Sequence, residues 1–273
     1  MKMKLDYATL LSPYPFYLPN IGHIKSPTLR EIWNPDMTYN KYNFYLSMLL
    51  ITSENFYERI NPSKFAWYES LSDEDKSNVT MFDIITNEPE LQTLYCDIFN
   101  FFFEENFIWD NNIRMYIACK ESSADENKTP DKNETPDENE TPEVIGIIHK
   151  NIFYDLLDII LQRCGVEKKD SADRPKFKNK MAERIWLKTQ NSQKEKETTN
   201  NTNMELPNLI SAYAAFGNGV NITSVWDMTV FQLYDQFQRQ RVISYHNLSS
   251  MSVATWGDKD NKFDIEGWYK SIY

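Results

Sequence analysis

Glycine is scarce in this chain: seven residues in 273, against a usual share of ~7%. Backbone sites that depend on glycine, such as phosphate-cradling loops and tight left-handed turns, are correspondingly few. Cysteine is scarcer still. Cys96, Cys119 and Cys164 are odd in number and far apart, without the short Cys/His spacing of a zinc site. Each reads as a small buried hydrophobe in a reducing compartment. His23, His149 and His246 are also widely separated, and no HExxH, GxSxG, Walker or GxGxxG pattern occurs. No stretch reaches the ~18 consecutive apolar residues of a spanning helix. The N-terminus, MKMKLDYATLLSPYPF, holds no apolar run of a signal peptide or anchor. These absences predict a cytoplasmic protein with no metal, no cofactor and no membrane partner. The sequons at Asn78, Asn127, Asn133, Asn139, Asn200, Asn221 and Asn247 then carry no expectation of glycosylation. Catalysis would need a non-local site, with one histidine meeting distant acids in space.

What is present is apolar and aromatic mass: 41% hydrophobic and 14% aromatic residues, enough for a sizeable core. The formal charge of −11 is unevenly spread. Ser53 to Glu105 holds twelve acids against three basic residues, and Lys120 to Glu143 nine acids against three lysines. Arg163 to Glu197 reverses the sign, with eleven basic residues against six acids. One basic segment in an acidic chain is a poor basis for nucleic-acid binding, which needs a coherent positive surface. The asymmetry suits either closure of the protein on itself or docking of a charged partner.

The residue pattern predicts an α+β protein, mainly α-helical, with a small antiparallel sheet in the N-terminal half and a helical C-terminal block. Phe16–Leu18 and Ile21–Lys25 flank a Pro19–Asn20 break and read as a hairpin. Thr28 to Trp33 suits one or two helical turns. Asn40 to Ile51 reads as a buried helix with Tyr42, Tyr45, Leu46 and Leu49 inward, and Ser53 to Asn87 as short helices with acidic connections. Asn87 is placed to cap a helix with Pro89 in its first turn and Leu91, Leu94, Tyr95, Ile98, Phe99 and Phe102 along one face. Phe107–Trp109 and Ile113–Ile117, around Asp110–Asn112, form a second hairpin, with Val144–Ile148 a further strand. Asn151 to Arg163 is again helical, with Gly165 where a left-handed C-terminal residue belongs.

Residues 121–143 contain three tandem hexapeptides, ENKTPD, KNETPD and ENETPE. They offer nothing apolar to pack, and proline at every sixth position breaks helix, so the segment reads as a disordered acidic insert. The expected organisation is a mixed helix/hairpin domain over 1–188 carrying that insert, a polar linker over 189–203, and a helical block over 204–273.

Three features bear on function. Within a basic helix expected over Pro175–Lys188, Lys180, Arg184 and Lys188 recur at i+4 beside Phe177, Met181, Ala182 and Ile185. That arrangement is a solvated amphipathic face or a docking surface for an acidic partner. In a helix expected over Thr229–Gln240, Val230, Leu233, Tyr234 and Phe237 form a core stripe. Trp226 and Phe231 fall off that stripe and are candidates for a second buried face or a partner surface. Asp258–Asp264 superficially suggests a calcium loop, but Lys262, Phe263 and Tyr269 occupy positions that need ligands or glycine. It reads instead as a turn through which Asp264 caps the last helix.

PTLREI, YNFYLSMLL, FYDLLDIIL, LPNLISAYAA, WDMTVFQLYDQF and MSVATWGDKDNKFDIEGWYK together resemble tail assembly chaperone-like proteins of tailed phages infecting low-GC Gram-positive bacteria. The resemblance implies a non-enzymatic late phage protein in the host cytoplasm. It would bind the tape measure protein and tail-tube subunits and leave before the virion matures. A permanent structural component of the virion tail and an enzyme with a non-local acid/histidine site stand as alternatives.

Overall fold

The computed structural model describes residues 3–120, 143–166, 205–216, 219–259 and 261–272. The chain is α+β and mainly helical, with two small antiparallel sheets in its N-terminal half. It divides into two compact units. One holds Met1–Pro27 and Ile32–Val166, the other Thr28–Glu31 and Glu167–Tyr273.

The first unit opens with α1 (Tyr7–Leu11) and the hairpin β1 (Phe16–Leu18) and β2 (Gly22–Ile24), turning at Asn20 with φ 60°. α2 (Tyr39–Leu50), α3 (Ser53–Arg59), α4 (Phe65–Ser70), α5 (Asp73–Asn78) and α6 (Met81–Ile85) follow in close succession. The chain breaks into short helices because hydroxyl caps recur along it. Thr38, Thr52, Ser72 and Thr80 each accept a hydrogen bond from the backbone N–H three residues on, which satisfies an otherwise orphaned donor of a first turn. On α2 the buried residues are Tyr42, Tyr45, Met48 and Leu49, so Met48 takes the inward place expected of Leu46.

α7 (Pro89–Phe102) buries Leu91, Tyr95, Ile98, Phe99 and Phe102 along the predicted stripe. Its cap position is Glu88, without a side-chain cap bond. Asn87, the predicted cap, instead donates back to the Asp83 carbonyl and accepts from Arg114. β3 (Asn106–Asp110), β4 (Met115–Cys119) and β5 (Val144–Ile148) form a three-stranded antiparallel sheet in that order. The β3–β4 turn runs on to Arg114, whose φ is 54°. Asp110 draws the turn in by accepting from the N–H groups of Asn112 and Ile113. α8 (Lys150–Arg163) ends at Cys164, and Gly165 takes the predicted left-handed conformation with φ 70°.

The core of this unit is aromatic. The Phe99 ring meets those of Tyr95, Phe103, Phe107, Tyr116 and Phe153, all fully or nearly fully buried. Edge-to-face rings add specific attraction to the area they bury. The Tyr95 hydroxyl donates to the Met48 carbonyl at 2.7 Å, tying α7 to α2. Gly146 on β5 is buried against the β1–β2 turn, and a Cβ there would fall on the backbone carbonyl of Asn20.

In the second unit, α9 (Leu206–Phe216) buries Leu206, Leu209, Ile210 and Tyr213. A 3-10 turn over Val225–Asp227 leads into α10 (Val230–Trp256), 27 residues long. Thr229 and Gln232 form a reciprocal capping box at its start. Thr28–Glu31 closes one hydrogen-bonded turn, from the Glu31 N–H to the Thr28 carbonyl, and does not extend into a helix. The N–H groups of Leu29 and Arg30 donate to the carbonyls of Met228 and Trp226, and Glu31 accepts from the backbone and hydroxyl of Thr28. Those donors are spent on pairing with the segment before α10, so no helical ladder starts here.

The expected insert, polar linker and basic helix fall on residues 121–142 and 167–204, outside the described residues apart from Glu143.

Candidate interaction surface

The long helix α10 changes character along its length. Its first turns are anchored, with Val230, Phe231, Leu233 and Asp235 buried. Beyond Asp235 no residue of the helix is buried, although large apolar side chains continue. Tyr245 is 75% exposed, Leu248 68%, Met251 68% and Trp256 77%. Residues 242–257 contain no Asp, Glu, Lys or Arg. An exposed helix segment without charge is unusual, because a solvated face normally carries it.

The chain after the helix folds back along it. Gly257 turns at φ 77°, a conformation that glycine adopts readily. The carboxylate of Asp258 accepts from the N–H groups of Lys262 and Phe263. The Phe263 ring then lies 5.1 Å from His246, and the Arg239 guanidinium donates to the carbonyls of Trp268 and Lys270. At 3.6 residues per turn, Arg239 and His246 lie roughly opposite Leu248 and Met251 around the helix. The returning tail therefore covers one side of α10 and leaves the Leu248–Met251 side open. Asp264 accepts from the Glu266 N–H, but the 3-10 turn that follows, Gly267–Tyr269, has Glu266 at its cap position without a side-chain cap bond, so the predicted cap by Asp264 is not formed. An ion pair with Lys270 holds the Asp264 carboxyl below its ordinary value and the lysine above its own.

Of the residues singled out from sequence, Phe231 is 3% exposed and Trp226 is half-buried. Phe231 thus belongs to a second buried face of α10 and is not presented to a partner. The expected stripe of four is met at Val230 and Leu233, which are buried together with Phe231 and Asp235, whereas Tyr234 and Phe237 are only half-buried. Lys180, Arg184 and Lys188 lie outside the described residues. The open face at Leu248 and Met251 was missed because the predicted helix stopped at Gln240. The signal that would have found it is the run without charge from Val242 to Gly257, which contains neither proline nor an early glycine.

The three histidines serve local structure. His23 Nδ1 lies 2.8 Å from Glu105 Oε1, while Glu105 Oε2 accepts from the His23 N–H at 2.8 Å. Glu105 is buried, and glycine at 22 leaves room for it, since a Cβ there would strike the carboxylate. His149 caps α8 by accepting from the Asn151 N–H, and His246 packs on Phe263. Among the described residues, no group of three or more His, Cys, Asp or Glu is arranged to hold a metal ion. No helix among them is long and apolar enough to cross a membrane.

The second unit is a helical module built on α10 and its returning tail. Residues 193–273 match a family described as YomV second domain, a phage-associated protein family. Neither a curated protein nor a solved structure matches the chain.

Proposed function

We propose that this chain is a non-enzymatic phage morphogenesis protein, a tail assembly chaperone or adaptor, and that the open face of α10 binds its client. The observation that carries the reading is the pairing of Leu248 and Met251, both exposed on an uncharged stretch of helix, with a match to a phage-associated family over the same module. A protein that shields a long helical client needs an apolar helix face for recognition and charge elsewhere for solubility. The rest of the chain supplies that charge, −11 in total. The tape measure protein is the client favoured by the resemblance to tail assembly chaperones, with tail-tube subunits as the second partner. Such binding is set by a few large apolar anchors and stays weak enough for later release.

The test is co-expression with the tape measure protein of the same phage. The wild-type chain should hold that protein soluble and co-purify with it, whereas Leu248→Glu with Met251→Glu should lose it while far-UV dichroism stays helical. Failure of the wild type to retain it removes the chaperone reading. Mass spectrometry of purified virions should not find the chain. Its presence there at stoichiometric level identifies a permanent tail component.

A further inference from the structure

We propose that the returning tail, residues 257–272, is a displaceable strap. It occupies one side of α10 in place of a client segment, and swings out at Gly257 to give that side up. The identity of the occupant rests on the client reading above; the opening of the strap does not.

The footprint of the strap is centred on His246. The Phe263 ring packs on this imidazole, and a Cβ on Gly267 would lie 3.6 Å from its Cδ2 atom. At 3.6 residues per turn, Val242, Ser249 and Val253 share the His246 side of the helix. All four are half-buried, while Leu248, Met251 and Trp256 are exposed. The uncharged stretch of α10 thus has a covered side only because this chain's own tail lies on it.

The attachment is slight. No described residue of the tail is buried, and Ile265, Trp268 and Tyr269 are exposed. Phe263 is half-buried, and Arg239 Nη1 donates to the Lys270 carbonyl at 2.7 Å and the Trp268 carbonyl at 3.3 Å. Other bonds run within the tail: from the Lys262 and Phe263 N–H groups to Asp258, and between Asp264 and Lys270. Those bonds hold the tail's own shape as it moves, and Gly257, with φ 77°, supplies a pivot that glycine tolerates. A segment with so little buried area opens locally at low free energy. Its fit is also incomplete. His246 Nε2 is buried with no hydrogen-bond partner among the described residues, a cost that an occupant with a polar group at that point avoids.

The strap shows what its replacement must offer. An aromatic ring covers His246, free backbone carbonyls meet Arg239, and a polar group reaches His246 Nε2. The contacting face is otherwise uncharged, since residues 242–257 carry no charge to match. With the strap off, a client reaches this side as well as the open face at Leu248 and Met251.

Labelling of the full chain with diethyl pyrocarbonate, which modifies accessible imidazole nitrogens, tests the proposal when read residue by residue by mass spectrometry. In the wild type His246 should label more slowly than His23, whose side chain is 44% exposed. Arg239→Ala should speed labelling of His246 roughly tenfold while far-UV dichroism stays helical. Arg239 lies two helical turns from His246, so acceleration there reports release of the strap and not the loss of one covering ring. Phe263→Ala loosens the strap from the tail side and leaves the helix intact. It should bind the tape measure protein on the order of tenfold more tightly, because a competitor held closed lowers apparent affinity by the open fraction. Labelling of His246 that Arg239→Ala leaves unchanged overturns the strap. Faster labelling with client binding no tighter in Phe263→Ala overturns the client as the occupant. Binding by neither protein removes the client reading and the named occupant with it, whereas the labelling result stands by itself.

Discussion

The guanidinium of Arg163 donates a 2.7 Å hydrogen bond to the backbone carbonyl of Tyr14, a residue 149 positions earlier in the chain. A second bond, at 2.5 Å, reaches the Thr9 carbonyl. Arg163 is fully buried at the end of α8, and burial lowers its pKa. Its neighbour Gln162 accepts from the Leu5 N–H and donates to the Met3 carbonyl. Two consecutive side chains thus hold the N-terminal segment by its backbone, with little dependence on the side chains of that segment.

Replacing Arg163 with Met keeps most of the buried stem but leaves two carbonyls without their donor. The expected loss is about 2–4 kcal/mol. Chymotrypsin should then cut at Tyr7, Leu10 or Leu11 under conditions where the wild type resists. An unchanged melt together with an uncut N-terminus would show that the clamp is dispensable.

Acid should weaken the α6–α8 contact. Partial burial raises the pKa of the Asp83 carboxyl, but hydrogen bonds from Lys150 and Thr80 outweigh it and leave the group below its ordinary 3.8. A depressed folded value means the contribution is present above the unfolded pKa and fades as pH falls through the folded one. Both side chains are nearly half exposed, so Lys150→Met should cost only ~0.5 kcal/mol at neutral pH. Thr80→Ala removes the cap as well and should cost ~1 kcal/mol. Denaturant titrations at pH 7 and at a series of pH values below 3.8 should show the full Lys150 effect at the first and its progressive loss along the series.

Phe231 and Trp226 should separate in a stability assay. Phe231→Ala empties a buried site and should cost about 3–5 kcal/mol. Trp226→Ala, at a half-buried position, should cost clearly less. If Phe231→Ala melts like the wild type and loses only client binding, the burial of this ring has been misjudged.

The repeat insert should be dispensable for folding. β4 and β5 are paired up to its two ends, where the Lys120 N–H donates to the Glu143 carbonyl at 3.0 Å. A short turn can span the gap between adjacent strands, and closure entropy changes slowly with loop length. Replacing residues 122–141 with a Gly/Asn turn should leave the melting temperature within a few degrees. Aggregation of that variant would show that the insert contributes to packing.

Local rules made most of the first unit legible. The α7 stripe, the two hairpins, the third strand and the left-handed Gly165 follow from periodicity and turn chemistry, and they appear where those rules put them. Thr28–Glu31 escaped because its partners lie some 200 residues further on, at Trp226 and Met228, and no local pattern encodes such pairing. The second half of α10, beyond Gln240, escaped for the opposite reason. The anchored start of the helix has the amphipathic signature of a core helix, whereas Val242–Trp256 mixes serines with isolated large apolar residues and carries no buried face. A helix whose apolar side faces solvent looks, to any rule built on burial, like no helix at all.

Gly146 and Asn20 occupy one volume between them: the strand lacks a side chain where the turn's carbonyl sits. Neither position is therefore free to vary alone. A side chain at 146 is tolerable only if the 18–22 turn moves, and a repacked turn opens a hole unless 146 fills it. Across descendants of this chain, the two sites should change in the same lineages or not at all, though no property of either residue considered singly marks it as constrained.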